Sequence, residues 1–119
     1  MHKFVRLIVF LSIILFSCSK STEDKIIGNW SNREDQRVMV LTFKSDGTAI
    51  MYNGDFKDEE TWFLSEDEKL ICIDEGGSTP DCALLISIND IKMCVEDEKF
   101  GKIMCFDKIS DKELNRIKK

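Results

Sequence analysis

From Trp30 onward the chain repeats one pattern, a short β-prone run followed by a turn signal, at near-regular spacing. Val38-Met39-Val40-Leu41-Thr42-Phe43 is rich in branched and aromatic side chains, which suit a pleated surface. It stops at Ser45-Asp46-Gly47, a hairpin signal, and Ala49 to Tyr52 returns as the next run. Thr61-Trp62-Phe63-Leu64 and Leu70-Ile71-Cys72-Ile73 flank Glu66-Asp67-Glu68, and Gly76 to Pro80 forms a longer loop. Ala83 to Ile88 and Ile91 to Val95 flank Asn89-Asp90, and Ile103 to Phe106 follows Lys99-Phe100-Gly101. With a first strand at Trp30, these runs make eight short strands. Consecutive hairpins of this kind predict an all-β barrel or sandwich.

The cysteines test the pairing. After Cys18 there remain Cys72, Cys82, Cys94 and Cys105, with hairpin-sized gaps inside each neighbouring pair. Four cysteines allow three connectivities. If Asn89-Asp90 is a turn, Ile88 faces Ile91, Ile86 faces Met93 and Leu84 faces Val95, all on one inward face. A turn centred between Lys99 and Phe100 then sets Met93 against Phe106 and Val95 against Met104 on that face. The same register sets Lys92 against Asp107 and Cys94 against Cys105 on the other. Around the Gly-rich loop, Cys72 falls opposite Cys82 and Leu70 opposite Leu84. Disulfides Cys94–Cys105 and Cys72–Cys82 are therefore expected. The opposite face of that hairpin, Ile71, Ile73, Ala83 and Leu85, is apolar too, and is expected to meet the C-terminal segment or a partner.

The tail changes period. Ser110-Asp111-Lys112-Glu113 is a capping box, with Ile109 and Leu114 placed as a hydrophobic staple. Leu114 and Ile117 lie three apart, so a short helix over 110–119 can lay both on the barrel.

At the other end, Lys3 and Arg6 precede an almost wholly apolar run from Leu7 to Phe16, and Leu15-Phe16-Ser17-Cys18 follows. This is the layout of a secretory signal peptide over 1–17, too short for a spanning helix. The cleavage region resembles a bacterial lipobox, with an apolar residue at −3, a small one at −1 and a cysteine at +1. That resemblance implies lipidation of Cys18, attachment to the membrane through that lipid, and residence in a bacterial envelope at the outer membrane, on its periplasmic or surface face. Residues 18–25 then form a polar tether. Lys3 and Arg6 are the only Lys, Arg, Asp or Glu of the removed segment, so the net charge falls from −5 to −7. Such a surface disfavours nucleic acid as a partner. It would attract a basic protein partner or serve solubility. Export also suits disulfides.

Catalytic and metal chemistry find little footing. His2 is the single histidine and lies in the signal segment, and no cysteine pair has two-residue spacing. No cofactor, metal or catalytic residue is expected. The acidic runs Asp58-Glu59-Glu60, Glu66-Asp67-Glu68 and Glu96-Asp97-Glu98 read as solvated charges near turns.

Gly28-Asn29-Trp30 opens the first strand, and Phe43 is followed by Ser45-Asp46-Gly47-Thr48. On these residues and the strand order, the region 26–109 resembles the lipocalin superfamily, in particular the small lipocalin-like domains of Bacteroidetes-type lipoproteins. The resemblance implies an eight-stranded antiparallel up-and-down barrel with a short C-terminal helix, its base closed by Gly28 and Trp30. Lipocalins often set an Arg of the last strand over this Trp; here that strand offers Lys102 and Lys108. The lumen would be lined by Met39, Leu41, Phe43, Met51, Trp62, Met93, Met104 and Phe106, joined by Leu84 and Ile86. Such a lumen is either filled by its own side chains or holds one small hydrophobic or amphipathic ligand. A second reading is a protein-binding module, such as an inhibitor of a basic hydrolase, or a structural subunit of an envelope complex.

Overall fold

Alternation along Arg37–Phe43 sorts its side chains to two destinations. Phe43 is buried and Met39 and Leu41 are packed against one cluster, whereas Val38 and Val40 belong to a second. The computed structural model describes residues 20–34, 37–54, 56–76 and 79–118. In it a one-turn helix α1 (Thr22–Ile26) leads into eight strands. These are β1 (Gly28–Glu34), β2 (Arg37–Phe43), β3 (Thr48–Asn53), β4 (Phe56–Leu64), β5 (Leu70–Asp74), β6 (Asp81–Ile88), β7 (Lys92–Asp97) and β8 (Ile103–Ile109). Helix α2 (Asp111–Ile117) ends the chain. Each strand pairs antiparallel with the next, and β1 pairs with β8, so the sheet closes as an up-and-down barrel. Closure removes both sheet edges.

The first cluster fills the lower barrel: Ile26, Trp30, Phe43, Ala49, Trp62, Ile71, Met93, Val95 and Phe106. The second lies outside the wall, where Val40, Ile50 and Tyr52 meet Leu114. Here α2 docks. Ser110 caps it by accepting from the Glu113 amide at 3.2 Å. Asn29 ties it to the wall, donating to Asp111 Oδ1 at 2.8 Å and accepting from Thr42 Oγ1 at 2.7 Å. Seven residues make a marginal helix alone, so this docking holds it.

The disulfides are Cys72–Cys82 and Cys94–Cys105, joining neighbouring strands. Two such bonds in a chain of this size indicate an oxidising, extracytoplasmic compartment. The β7–β8 register matches expectation, with Met93 against Phe106, Val95 against Met104 and Lys92 against Asp107. Cys72 against Cys82 and Leu70 against Leu84 also hold.

The β6–β7 hairpin differs. Ile88 pairs with Met93 and Leu85 with Val95, and the register slips between Leu85 and Ser87. Asn89 causes the first shift. Its side chain accepts from the Ile91 and Lys92 amides at 2.9 and 2.8 Å, and its own amide bonds Lys92 O at 2.9 Å. The turn therefore sits at Asp90-Ile91. Ile86 becomes the extra residue of a bulge. Leu84 and Ile86, expected in the lumen, are instead 38% and 47% exposed, while Ile71, Ile73, Ala83 and Leu85 turn inward. What the C-terminal helix covers is the β2–β3 face.

The expected tether is also partly structured. Ser21 accepts from the Asp24 amide at 3.1 Å and caps α1. Cys18 and the signal segment lie outside the described residues.

Candidate functional site: an open cavity above a closed base

Two tryptophans close one end of the barrel. Trp30 is fully buried, and its indole N–H donates to Ile26 O at 2.7 Å, which draws α1 across the opening. Lys108 carries its ammonium 5.2 Å from the centre of the Trp30 ring, a cation–π contact. Gly28 makes room for it: φ is +137°, and a Cβ there would stand 2.7 Å from Lys108 Cε. Trp62 was expected to line the lumen with the ligand-facing residues. It lies instead in this base, its amide bonded to Gly47 O and its indole N–H to Lys44 O, both at 2.9 Å. Its ring meets Phe43 edge-on at 5.2 Å. The hairpin at Ser45-Asp46-Gly47 holds it there, because the carbonyls it needs are on that turn.

Above this base the barrel is hollow. A cavity of about 770 Å³ opens at the opposite end. Cavities for small ligands run roughly 300–1,000 Å³. Phe43, Met93 and Phe106 make its floor. Leu41, Met51, Val95 and Met104 form the wall, with Met39, Ile71, Ile73 and Ala83 between. Seven of the eight residues singled out in the sequence thus border it, Trp62 being the exception. All four methionines after Met1 do so. Unbranched thioethers let such a wall adapt to a guest.

The mouth has different chemistry. Asp81, Asp97, Glu98, Lys99, Pro80 and Phe100 border it, and Phe100 is 78% exposed. Two further acids do not border this cavity but line a separate, shallower pocket with Asp74 and Glu75. Asp58 pairs with Met51 and Glu60 with Ala49, so both share the inward face of β4 with Trp62. Burial raises the Glu60 carboxyl from 4.5 to about 7, helped by a hydrogen bond with Asp58 and the charges of Glu75, Asp58 and Asp81. Sequence reasoning placed these acids on solvated turns. The signal that finds them is their spacing: Asp58 and Glu60 lie four and two residues before Trp62. Among the described residues, no group of three or more His, Cys, Asp or Glu side chains is arranged to hold a metal ion.

The chain matches no known family model, no curated protein and no solved structure. Its architecture is consistent with a lipocalin-like fold, an eight-stranded up-and-down barrel followed by a helix.

Proposed function

We propose that this chain is a lipid-anchored bacterial envelope lipoprotein whose barrel binds a small hydrophobic or amphipathic molecule without transforming it. The observation that carries the binding reading is the cavity of about 770 Å³, apolar in its depth and open at one end. A barrel that served only as a scaffold would do better filled, since an empty apolar interior forfeits packing. The anchoring reading rests on the lipobox-like run ending at Cys18, and two disulfides agree with export.

Native mass spectrometry of the protein purified from its own cells tests the binding reading. A retained small molecule is expected; a bare polypeptide that also fails to take up neutral amphiphiles would remove it. Labelling with a fatty-acid analogue tests the anchor. The label should disappear in Cys18→Ala, and undiminished label in that variant would sink the lipobox assignment.

A second reading, a protein-binding module, draws on the outer wall. Phe63, Leu84 and Ile103 lie exposed on the outside of β4, β6 and β8 beside both disulfides. Recovery of a protein partner whose binding is lost on Leu84→Asp, with the cavity unaffected, would favour it.

A further inference from the structure

We propose that the guest is an amphipathic cation, its apolar body seated among the methionines and its ammonium group held at the mouth by Asp81 and Asp97. This rests on the preceding reading that the cavity is a ligand site, and it names the ligand's chemistry.

The interior changes character along its axis. Its deeper lining is apolar, from Phe43, Met93 and Phe106 up to Met39 and Met104. Its mouth is acidic. Asp97 pairs with Ala83 across β6 and β7, and Asp81 lies two residues from Ala83 on the same inward face. The two carboxylates are therefore diagonal neighbours, with Cα atoms roughly 7–8 Å apart. Glu98 adds a third acid, and Lys99 is the one cation among the described lining residues. Asp58 and Glu60, on β4, border a separate pocket with Asp74 and Glu75 and are not part of this mouth.

This arrangement selects by charge. A fatty acid would bring a carboxylate to a mouth already crowded with them, and like charges at such range repel. A neutral alcohol would leave the crowding unrelieved. An ammonium at the same depth would face Asp81 and Asp97 within about one Debye length at physiological salt, so both would attract it. The apolar body is needed as well, because the mouth alone is wet and offers only screened, weak pairing. The two halves together require a molecule with an apolar part and one positive end.

Calorimetric titration of the purified full chain near neutral pH decides this, with dodecylamine, dodecanol, dodecanoate and ethylamine as probes. Dodecylamine is expected to bind about tenfold or more tighter than dodecanol, a difference of about 1.4 kcal/mol per decade. Dodecanoate should be weakest of the long-chain probes, and ethylamine should show no binding. Raising salt should shrink the amine's advantage in the unaltered protein, a readout that needs no variant. Asp81→Asn with Asp97→Asn should abolish the advantage while dodecanol still binds, which also shows that the variant is folded. Dodecanoate binding as well as dodecylamine would overturn the cation proposal and leave the binding reading standing. A preference that survives salt and the double variant would overturn the assignment to Asp81 and Asp97. If no long-chain probe binds, both readings fall.

Discussion

The two ends of this barrel solve opposite problems. At the base, large aromatic side chains are packed and their polar atoms satisfied: Trp30 donates to Ile26 O and Trp62 to Lys44 O. At the mouth, Met39 and Met104 border open space beside Asp81 and Asp97, and on β4 burial, aided by Asp58 and the charges around it, raises Glu60 to about 7. Rigid rings with a bonded N–H specify one packing, whereas flexible thioethers do not. Stability should therefore be concentrated at one end and recognition at the other.

The strongest way to break that contrast is to cut each end in turn. Trp30→Ala removes the ring that α1, β1 and Lys108 all contact, and should cost roughly 3–5 kcal/mol. That is a large share of a small domain's stability. Phe100→Ala, at a residue 78% exposed, should stay within about 0.5 kcal/mol of the parent. Denaturant melts of the two variants measure both. Similar losses would mean that the base is not where the barrel is held.

The disulfides come next and cut across the contrast. They close loops of nearly equal separation, 10 and 11 residues, so removing either pair should cost a similar amount, roughly 2–3 kcal/mol. Only one should matter to a guest, because Cys82 borders the cavity. Paired alanine variants compared by melting and by dodecanol binding would sharpen the distinction. A loss of binding on removal of Cys94–Cys105 alone would argue that the cavity's shape depends on the far wall.

A smaller effect is expected at Gly28. Alanine there must adopt φ +137° and push aside Lys108 Cε, a strain of about 1–3 kcal/mol. In a Lys108→Ala background the steric part should vanish and the backbone part remain. Equal costs in both backgrounds would show that Lys108 moves freely and that its contact with Trp30 contributes little.

The same contrast separates what was legible in the sequence from what was not. The β7–β8 register could be read because the cysteines, the apolar face and Lys92 opposite Asp107 all agree on it. β6 offered no such agreement. Ala83 and Leu85 on one face and Leu84 and Ile86 on the other are equally apolar, so alternation cannot choose the inward side. The choice was made by Asn89 capping two amides and by a bulge at Ile86, neither of which periodicity encodes. α1 was hidden differently. Ser21 with Glu23 and Asp24 is a helix-start signal, but five residues of polar chain form a helix only because Ile26 meets Trp30. On β4 the acids were assigned by composition, as turn charges. The period-2 rule that puts Trp62 inside applies equally to Asp58 and Glu60, and it sets them on the same face of β4, where both are half-buried.

The smallest effect is a matter of pH, and its sign differs between the ends. In the basal turns, hydrogen bonds from Thr48 hold Asp46 below the usual carboxylate range, and Ser65 does the same for Asp67. Such groups contribute stability above the ordinary carboxylate pKa and lose it as pH falls. Glu60 behaves in reverse. Its folded value of about 7 lies above the ordinary 4.5, so between these the folded barrel holds a proton that the unfolded chain has released. Its contribution is complete below 4.5 and is lost as pH rises toward about 7. Glu60→Gln keeps the hydrogen-bonding shape and removes the charge that Asp58, Glu75 and Asp81 oppose. The variant should match the parent near pH 4 and melt a few degrees higher near pH 8, an effect limited by solvent screening. Melting curves across that range would show the parent's decline flattened in the variant. Parallel curves would mean that neither burial nor the neighbouring acids disfavour the Glu60 charge, and the opposition between a settled base and a strained upper barrel would lose its electrostatic half.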